Sequence, residues 1–165
     1  MKNENDNTKN ESRTMLFTMG LPGSGKSTVI RREGLDTDAT IIDPDAVKAA
    51  HPDYDPKNPT ALHVWSKQVT DGMFNRALLN GGKWIVDGTG TNAEAMVAKI
   101  RRAQAAGFHT VLVYVQVSLA TSLKRNATRT RVVPEHVVRE KAEVIATSYE
   151  IVSRYVDEIK TIVND

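Results

Sequence analysis

The chain has no cysteine among its 165 residues. That absence excludes disulfide bridges, thiolate zinc sites and cysteine nucleophiles. Aromatic residues are scarce too, at 5%, so there is no evident set of rings on which the bases of a single strand could stack. No apolar run approaches the roughly 20 residues needed to span a bilayer, and Met1 to Arg13 is polar with no apolar central stretch, unlike a secretion signal. The expectation is therefore no membrane insertion and a cytoplasmic location. The four histidines, His51, His63, His109 and His136, lack metal-ligand spacing.

What is present is the composition of an ordinary globular domain, 40% hydrophobic and 25% charged. Residues 1–12 are rich in Asn, Lys and Glu and bury too little apolar surface to offset their ordering entropy, so they are expected to form a disordered polar tail. Residues 13–165 suffice for a single domain and one core, in which every ligand must be held. The formal charge of +2 is unevenly spread. From Lys99 to Lys141 the basic residues Lys99, Arg101, Arg102, Lys124, Arg125, Arg129, Arg131, Arg139 and Lys141 face only Glu135 and Glu140, which is either a solvated basic face or a surface that handles phosphate.

Short apolar runs alternate with stretches of helical spacing. Thr14–Met19, Thr40–Ile42, Lys83–Asp87, Val111–Val117 and Ile159–Val163 read as strands. Helices are expected from Lys26 to near Gly34, Asp45 to Ala50, Thr60 to Leu79, about Thr91 to Gly107, Leu119 to about Thr128, and Pro134 to about Val156, with a proline-bearing loop at His51–Pro59. In the third helix Leu62, Trp65, Val69, Met73 and Ala77 mark the apolar face, and Trp65 and Trp84 are expected in the core. Thr91 and Glu94 form a capping-box pattern before the fourth. The alternation predicts an α/β fold, a parallel five-stranded sheet covered by helices on both faces, with a short helical lid.

The strongest motif follows the first strand. Gly20-Leu21-Pro22-Gly23-Ser24-Gly25-Lys26-Ser27 satisfies G-x-x-x-x-G-K-[ST] between an apolar strand and a helix, and Thr28 follows it. In such a loop the glycines Gly20, Gly23 and Gly25 let successive backbone N–H groups approach a phosphate, Lys26 neutralises the β- and γ-phosphates, and the Ser27 hydroxyl coordinates Mg²⁺. ATP and Mg²⁺ are the expected ligands.

Ligands of parallel sheets sit at the carboxyl ends of the strands, which is where Asp43, Asp45 and Asp87 fall. Asp45 is read as the general base that takes a proton from an acceptor hydroxyl, and Asp87 as a metal-holding or substrate-orienting group; the bland alternatives are helix capping for Asp45 and turn formation for Asp87. Asp43 is read as a turn residue. Arg125, Arg129 and Arg131 cluster at a helix-to-loop junction and read as a lid that closes on the γ-phosphate, the alternative being a solvated helix end.

With these residues in view, the chain resembles the kinases related to phage polynucleotide 5′-kinases and zeta toxins. Gly20 to Thr28 is similar to their phosphate loop. Asp43-Pro44-Asp45-Ala46-Val47-Lys48 resembles the segment in which the second acid is the base and a basic residue, usually Arg, follows three positions later; the resemblance thus implies acceptor contacts for Lys48. Val86-Asp87-Gly88-Thr89-Gly90-Thr91-Asn92 is similar to the motif after strand three and implies a substrate role for Thr89, with Asp87 where zeta toxins usually carry Glu. Lys124-Arg125-Asn126, with Arg129 and Val133-Pro134, resembles the polynucleotide kinase lid, and His51-Pro52-Asp53-Tyr54 the zeta branch. The resemblance implies γ-phosphate transfer to a hydroxyl. Three acceptors stay open: a polynucleotide 5′-hydroxyl, a hydroxymethylated base in phage-type DNA, or the sugar of UDP-N-acetylglucosamine. A reading of another class, a switch or non-catalytic nucleotide-binding module, would need no base.

Overall fold

The computed structural model describes residues 12–58 and 60–165. The tail read at residues 1–12 lies outside them except for Ser12. Five strands form one sheet: β1 (Thr14–Met19), β2 (Ala39–Ile42), β3 (Lys83–Val86), β4 (His109–Gln116) and β5 (Glu158–Val163). Their order is β2-β3-β1-β4-β5, and every pairing is parallel. Among the described residues six helices intervene: α1 (Lys26–Arg32), α2 (Pro44–Ala49), α3 (His63–Asn80), α4 (Ala93–Ala105), α5 (Leu119–Ala127) and α6 (Glu135–Val152). Among the described residues no helix is long and apolar enough to cross a membrane.

Alternation along the strands splits the core in two. Met15, Phe17 and Met19 of β1 and Leu112 and Tyr114 of β4 pack with Phe74 and Ala77 of α3, Ile100 and Ala103 of α4, and Ile145 and Val152 of α6. Leu16 of β1, Ile85 of β3 and Val111, Val113 and Val115 of β4 pack with Val29 and Ile30 of α1. Helices thus cover both faces, as the alternation of elements predicts. Because β1 is central and buried on both sides, it holds the loop that follows it on a rigid base.

Two local expectations are overturned. α3 fully buries Ser66, Thr70, Phe74 and Ala77. Of the stripe expected through Leu62, Trp65, Val69, Met73 and Ala77, Ala77 is buried and Met73 packs partly buried against the core, while Leu62 and Val69 are only half-buried. Trp65 is 37% exposed and packs edge-on against His51, with ring centroids 4.5 Å apart. The hydroxyls explain the difference. Ser66 Oγ donates to the His63 carbonyl at 3.0 Å and Thr70 Oγ1 to the Ser66 carbonyl at 3.0 Å, so both polar groups enter the core already satisfied within their own helix. The cap of α4 is Asn92 rather than Thr91, its side chain accepting from the Ala95 N–H at 3.0 Å.

Candidate active site

β1 ends at Met19 and the chain turns sharply. Gly20 has no room for a side chain, since a β-carbon there would lie 2.8 Å from both Ser24 Oγ and the Val115 carbonyl. Gly23 and Gly25 both stand at φ 79, a conformation that L side chains rarely adopt. Gly25 opens α1 with no side-chain cap, so the first N–H groups of that helix are left for a ligand. Ser24 Oγ is buried and has no hydrogen-bond partner. An orphaned hydroxyl beside uncapped amides fits an anionic ligand, because a buried unpaired polar group is costly unless a ligand completes it. Ser27 and Thr28 are exposed at the start of α1, while Pro22 is anchored by its carbonyl, which accepts from Ser122 Oγ at 2.6 Å.

Lys26 donates to the Gly20 carbonyl at 3.0 Å, bending back across the loop. Burial lowers the pKa of its ammonium, and Arg129 lowers it further, whereas Asp87, Asp45 and Asp43 raise it. The charges acting on Lys26 therefore come from three places: the ends of β2 and β3, and the segment after α5. The loop lysine stands where they converge.

The acids are held by different means. Asp43 caps α2, its carboxylate accepting from the Asp45 N–H at 2.8 Å; the cap is thus Asp43, and the capping alternative considered for Asp45 does not hold. Burial pushes the Asp43 carboxyl above its ordinary range, and the neighbouring Asp87 adds to that. Asp87 accepts from the buried hydroxyl of Thr18 at 2.7 Å, and the same hydroxyl accepts from the Gly88 N–H at 2.9 Å. Ser27, Asp43 and Asp87 line a common cleft of about 150 Å³. Among the described residues no three His, Cys, Asp or Glu side chains form a metal cage. Mg²⁺ does not require one, since it is held by one or two carboxylates with water and substrate phosphates. Two acids and the Ser27 hydroxyl lining one cleft fit such a cation.

Asp45 is exposed on α2, and its carboxylate is ion-paired with Arg131. Lys48, three residues on, is buried to 6% exposure, an unusual setting for a lysine. Thr89 follows β3. Its carbonyl accepts from the Gly20 N–H at 3.0 Å, and its hydroxyl lies 3.2 Å from that of Thr91 and 3.5 Å from Lys141 Nζ of α6.

The three arginines do not act as one cluster. Arg131 is on Asp45 and Arg129 acts on Lys26, but Arg125 Nη1 donates to the Asn164 carbonyl at 2.7 Å. Asn164 follows β5, at the opposite edge of the sheet from Asp43 and Asp45. Arg125 thus stands beside the phosphate loop, its β-carbon 3.2 Å from where a Gly23 β-carbon would be, rather than over the acids. The loop from Thr128 to Pro134 is shaped by the buried Asn126, which donates to the Val133 carbonyl at 2.7 Å and accepts from the Val133 N–H at 3.1 Å. Thr18 and Asn164 belong to no motif, and Asn126 stands in the lid-like segment Lys124-Arg125-Asn126 without a role of its own. Asn164 carries one sequence signal, its place just past the carboxyl end of a strand.

Comparison with known proteins bears on the fold. A family described as an AAA domain matches residues 15–150. The structure is similar to one from the PezAT chromosomal toxin-antitoxin system of Streptococcus pneumoniae, with a TM-score of 0.75 at 15% identity, over 93% of this chain and 70% of that one. It is also similar to a chain of the AvrRxo1-ORF1:AvrRxo1-ORF2 complex with sulphate ions, with a TM-score of 0.71 at 15% identity, over 87% of this chain and 50% of that one. The chain therefore spans half the length of the second. No curated protein sequence matches.

Proposed function

Because the chain belongs to the AAA domain family and has a P-loop kinase-like α/β fold, we propose that it is an ATP-dependent kinase moving the γ-phosphate to a hydroxyl of a nucleic acid or nucleotide-type acceptor. One observation carries the reading. Ser27, Asp43 and Asp87 line one cleft beside the phosphate loop, and the Asp45 carboxylate is ion-paired with Arg131 from the loop after α5, which supports acids and an arginine facing the place where a terminal phosphate would sit. A switch module needs the loop but not an exposed acid across from it.

In this proposal Gly20, Pro22, Gly23, Ser24, Gly25, Lys26, Ser27 and Thr28 bind the triphosphate through backbone N–H groups, the ammonium and hydroxyls. Ser27 and Asp87 would hold Mg²⁺, which when bound supplies charge neutralisation between the phosphates. Asp45 takes the proton of the acceptor hydroxyl as that oxygen attacks. Arg129 stabilises the charge that develops on the transferred group, Arg131 moves from Asp45 toward the nucleotide when the acceptor arrives, and Arg125 serves the nucleotide from the β5 side. Lys48, Asp87 and Thr89 orient the acceptor. A nucleotide-sugar acceptor is the second reading, favoured by the zeta-like segment His51-Pro52-Asp53-Tyr54.

The test is a screen with ATP and three acceptors, namely 5′-hydroxyl oligonucleotides, hydroxymethyluracil DNA and nucleotide sugars, each read by mass. An acceptor gaining the mass of one phosphate supports the kinase. Inorganic phosphate as the sole product in every reaction contradicts it and favours the switch.

A further inference from the structure

Asn164 stands just past β5, where its N–H donates to the Gln116 carbonyl at 2.9 Å and fixes it at the end of the ladder. From there it touches two separate parts of the cleft. Its side-chain Nδ2 donates to the Ser24 carbonyl at 2.9 Å, and the same nitrogen would lie 2.7 Å from a β-carbon on Gly25. Its main-chain carbonyl accepts from Arg125 of α5. The next residue repeats the link, because Asp165 accepts from the Ser118 N–H at the start of α5 at 2.7 Å.

The peptide between Ser24 and Gly25 is planar and trans, so its carbonyl and its N–H point in opposite directions. Holding the Ser24 carbonyl on Asn164 therefore aims the Gly25 N–H away from Asn164. That amide is one of the donors of the phosphate loop. Glycine resists rotation of the adjoining peptide less than other residues do, and the Ser24 side chain is no help, since its hydroxyl has no partner. The restraint comes from outside the loop, across the sheet, from Asn164.

We propose that Asn164 is a positioning residue that fixes the Ser24–Gly25 peptide in its phosphate-binding orientation and couples that orientation to Arg125 on the lid helix. This rests on the nucleotide-binding part of the reading above and not on the identity of the acceptor.

The experiment is calorimetric titration of the whole chain with a non-hydrolysable ATP analogue and Mg²⁺, alongside thermal unfolding. Asn164→Ala removes the donor; Asn164→Asp keeps the shape but offers only acceptors to the Ser24 carbonyl, so it gives the same readout even where the alanine variant folds poorly. Each should weaken binding roughly five- to tenfold, the usual worth of one hydrogen bond lost from a constrained site. Arg125→Ala should weaken binding by a smaller factor in the Asn164→Ala background than in the parent, since the link is already cut. A dissociation constant within twofold of the parent in folded Asn164→Ala or Asn164→Asp overturns the proposal, whatever the change in thermal stability, as does full additivity with Arg125→Ala. Because binding is the readout, a failure to find any phosphoryl acceptor leaves this result intact.

Discussion

Arg131, on the loop between α5 and α6, is ion-paired with Asp45 on α2, so the two walls of the cleft meet at the carboxylate proposed as the base. The Asp45 side chain is 57% exposed, and a pair in that setting contributes about 1 kcal/mol or less to folding. Its value must then lie elsewhere if it has one. Arg131→Ala should shift thermal unfolding only slightly while lowering phosphoryl transfer by about tenfold or more, as expected of a charge that helps close the site. A variant that loses stability but transfers phosphate normally would make the pair a structural tie.

Burial of the Lys26 side chain lowers the pKa of its ammonium below the ordinary 10.5. A lysine whose pKa is lowered on folding binds its proton more weakly in the native state, so the unfolded chain binds more protons and stability rises with pH up to about 10.5. Below that window the buried charge is a net cost. Lys26→Met should therefore abolish transfer yet raise the unfolding temperature of the nucleotide-free protein, a combination that calorimetry and a transfer assay check together. Loss of both activity and stability would place Lys26 in the packing of the loop instead.

Thr18 is buried in β1 and its single hydroxyl serves both Asp87 and Gly88. Thr18→Val keeps the shape and leaves both partners short of a hydrogen bond, which should cost about 1–3 kcal/mol. It should also blunt the stabilisation that Mg²⁺ with ATP gives the parent, because Asp87 loses its fixed orientation. Thermal shifts with and without the ligands measure both effects.

Far from the cleft, Asp157 accepts from the Thr110 N–H at 2.8 Å and the Thr110 hydroxyl at 2.9 Å at the amino end of β4. The Thr110 N–H is the main cause of its carboxyl being held below the ordinary 3.8, with the Thr110 hydroxyl and His109 adding to it. A lowered carboxyl pKa gives stability that is present above that ordinary value and is lost as pH falls through the native one. Asp157→Ala should cost about 1 kcal/mol near neutral pH, discounted for its exposure. The gap to the parent should close below about pH 3.8, with ATP affinity unchanged.

The phosphate loop, the strands and the acids were legible in the sequence because each depends on neighbours close in the chain: an apolar run, a glycine pattern, a helix start. The buried face of α3 was not, since its polar residues satisfy themselves within the helix and hydropathy reads them as exposed. Phe74→Ala should accordingly cost about 3–5 kcal/mol, and Trp65→Ala much less, as denaturant titration would show. The roles of Asn126 and Asn164 were hidden too. Asn164 is a single polar residue whose partners, Ser24 and Arg125, come from remote segments, and Asn126 ties down its own loop through Val133, a bond that no residue pattern spells out. The division of the arginines followed from topology, which sends Arg125 toward β5 and Arg131 toward α2.

The central claim is that Asp45 takes the acceptor proton. Single-turnover transfer by Asp45→Asn, with the acceptor identified by the screen, tests it most directly. The rate should fall by about two to four orders of magnitude with ATP affinity little changed. A rate equal to the parent's, with the same acceptor and the same nucleotide affinity, would contradict it.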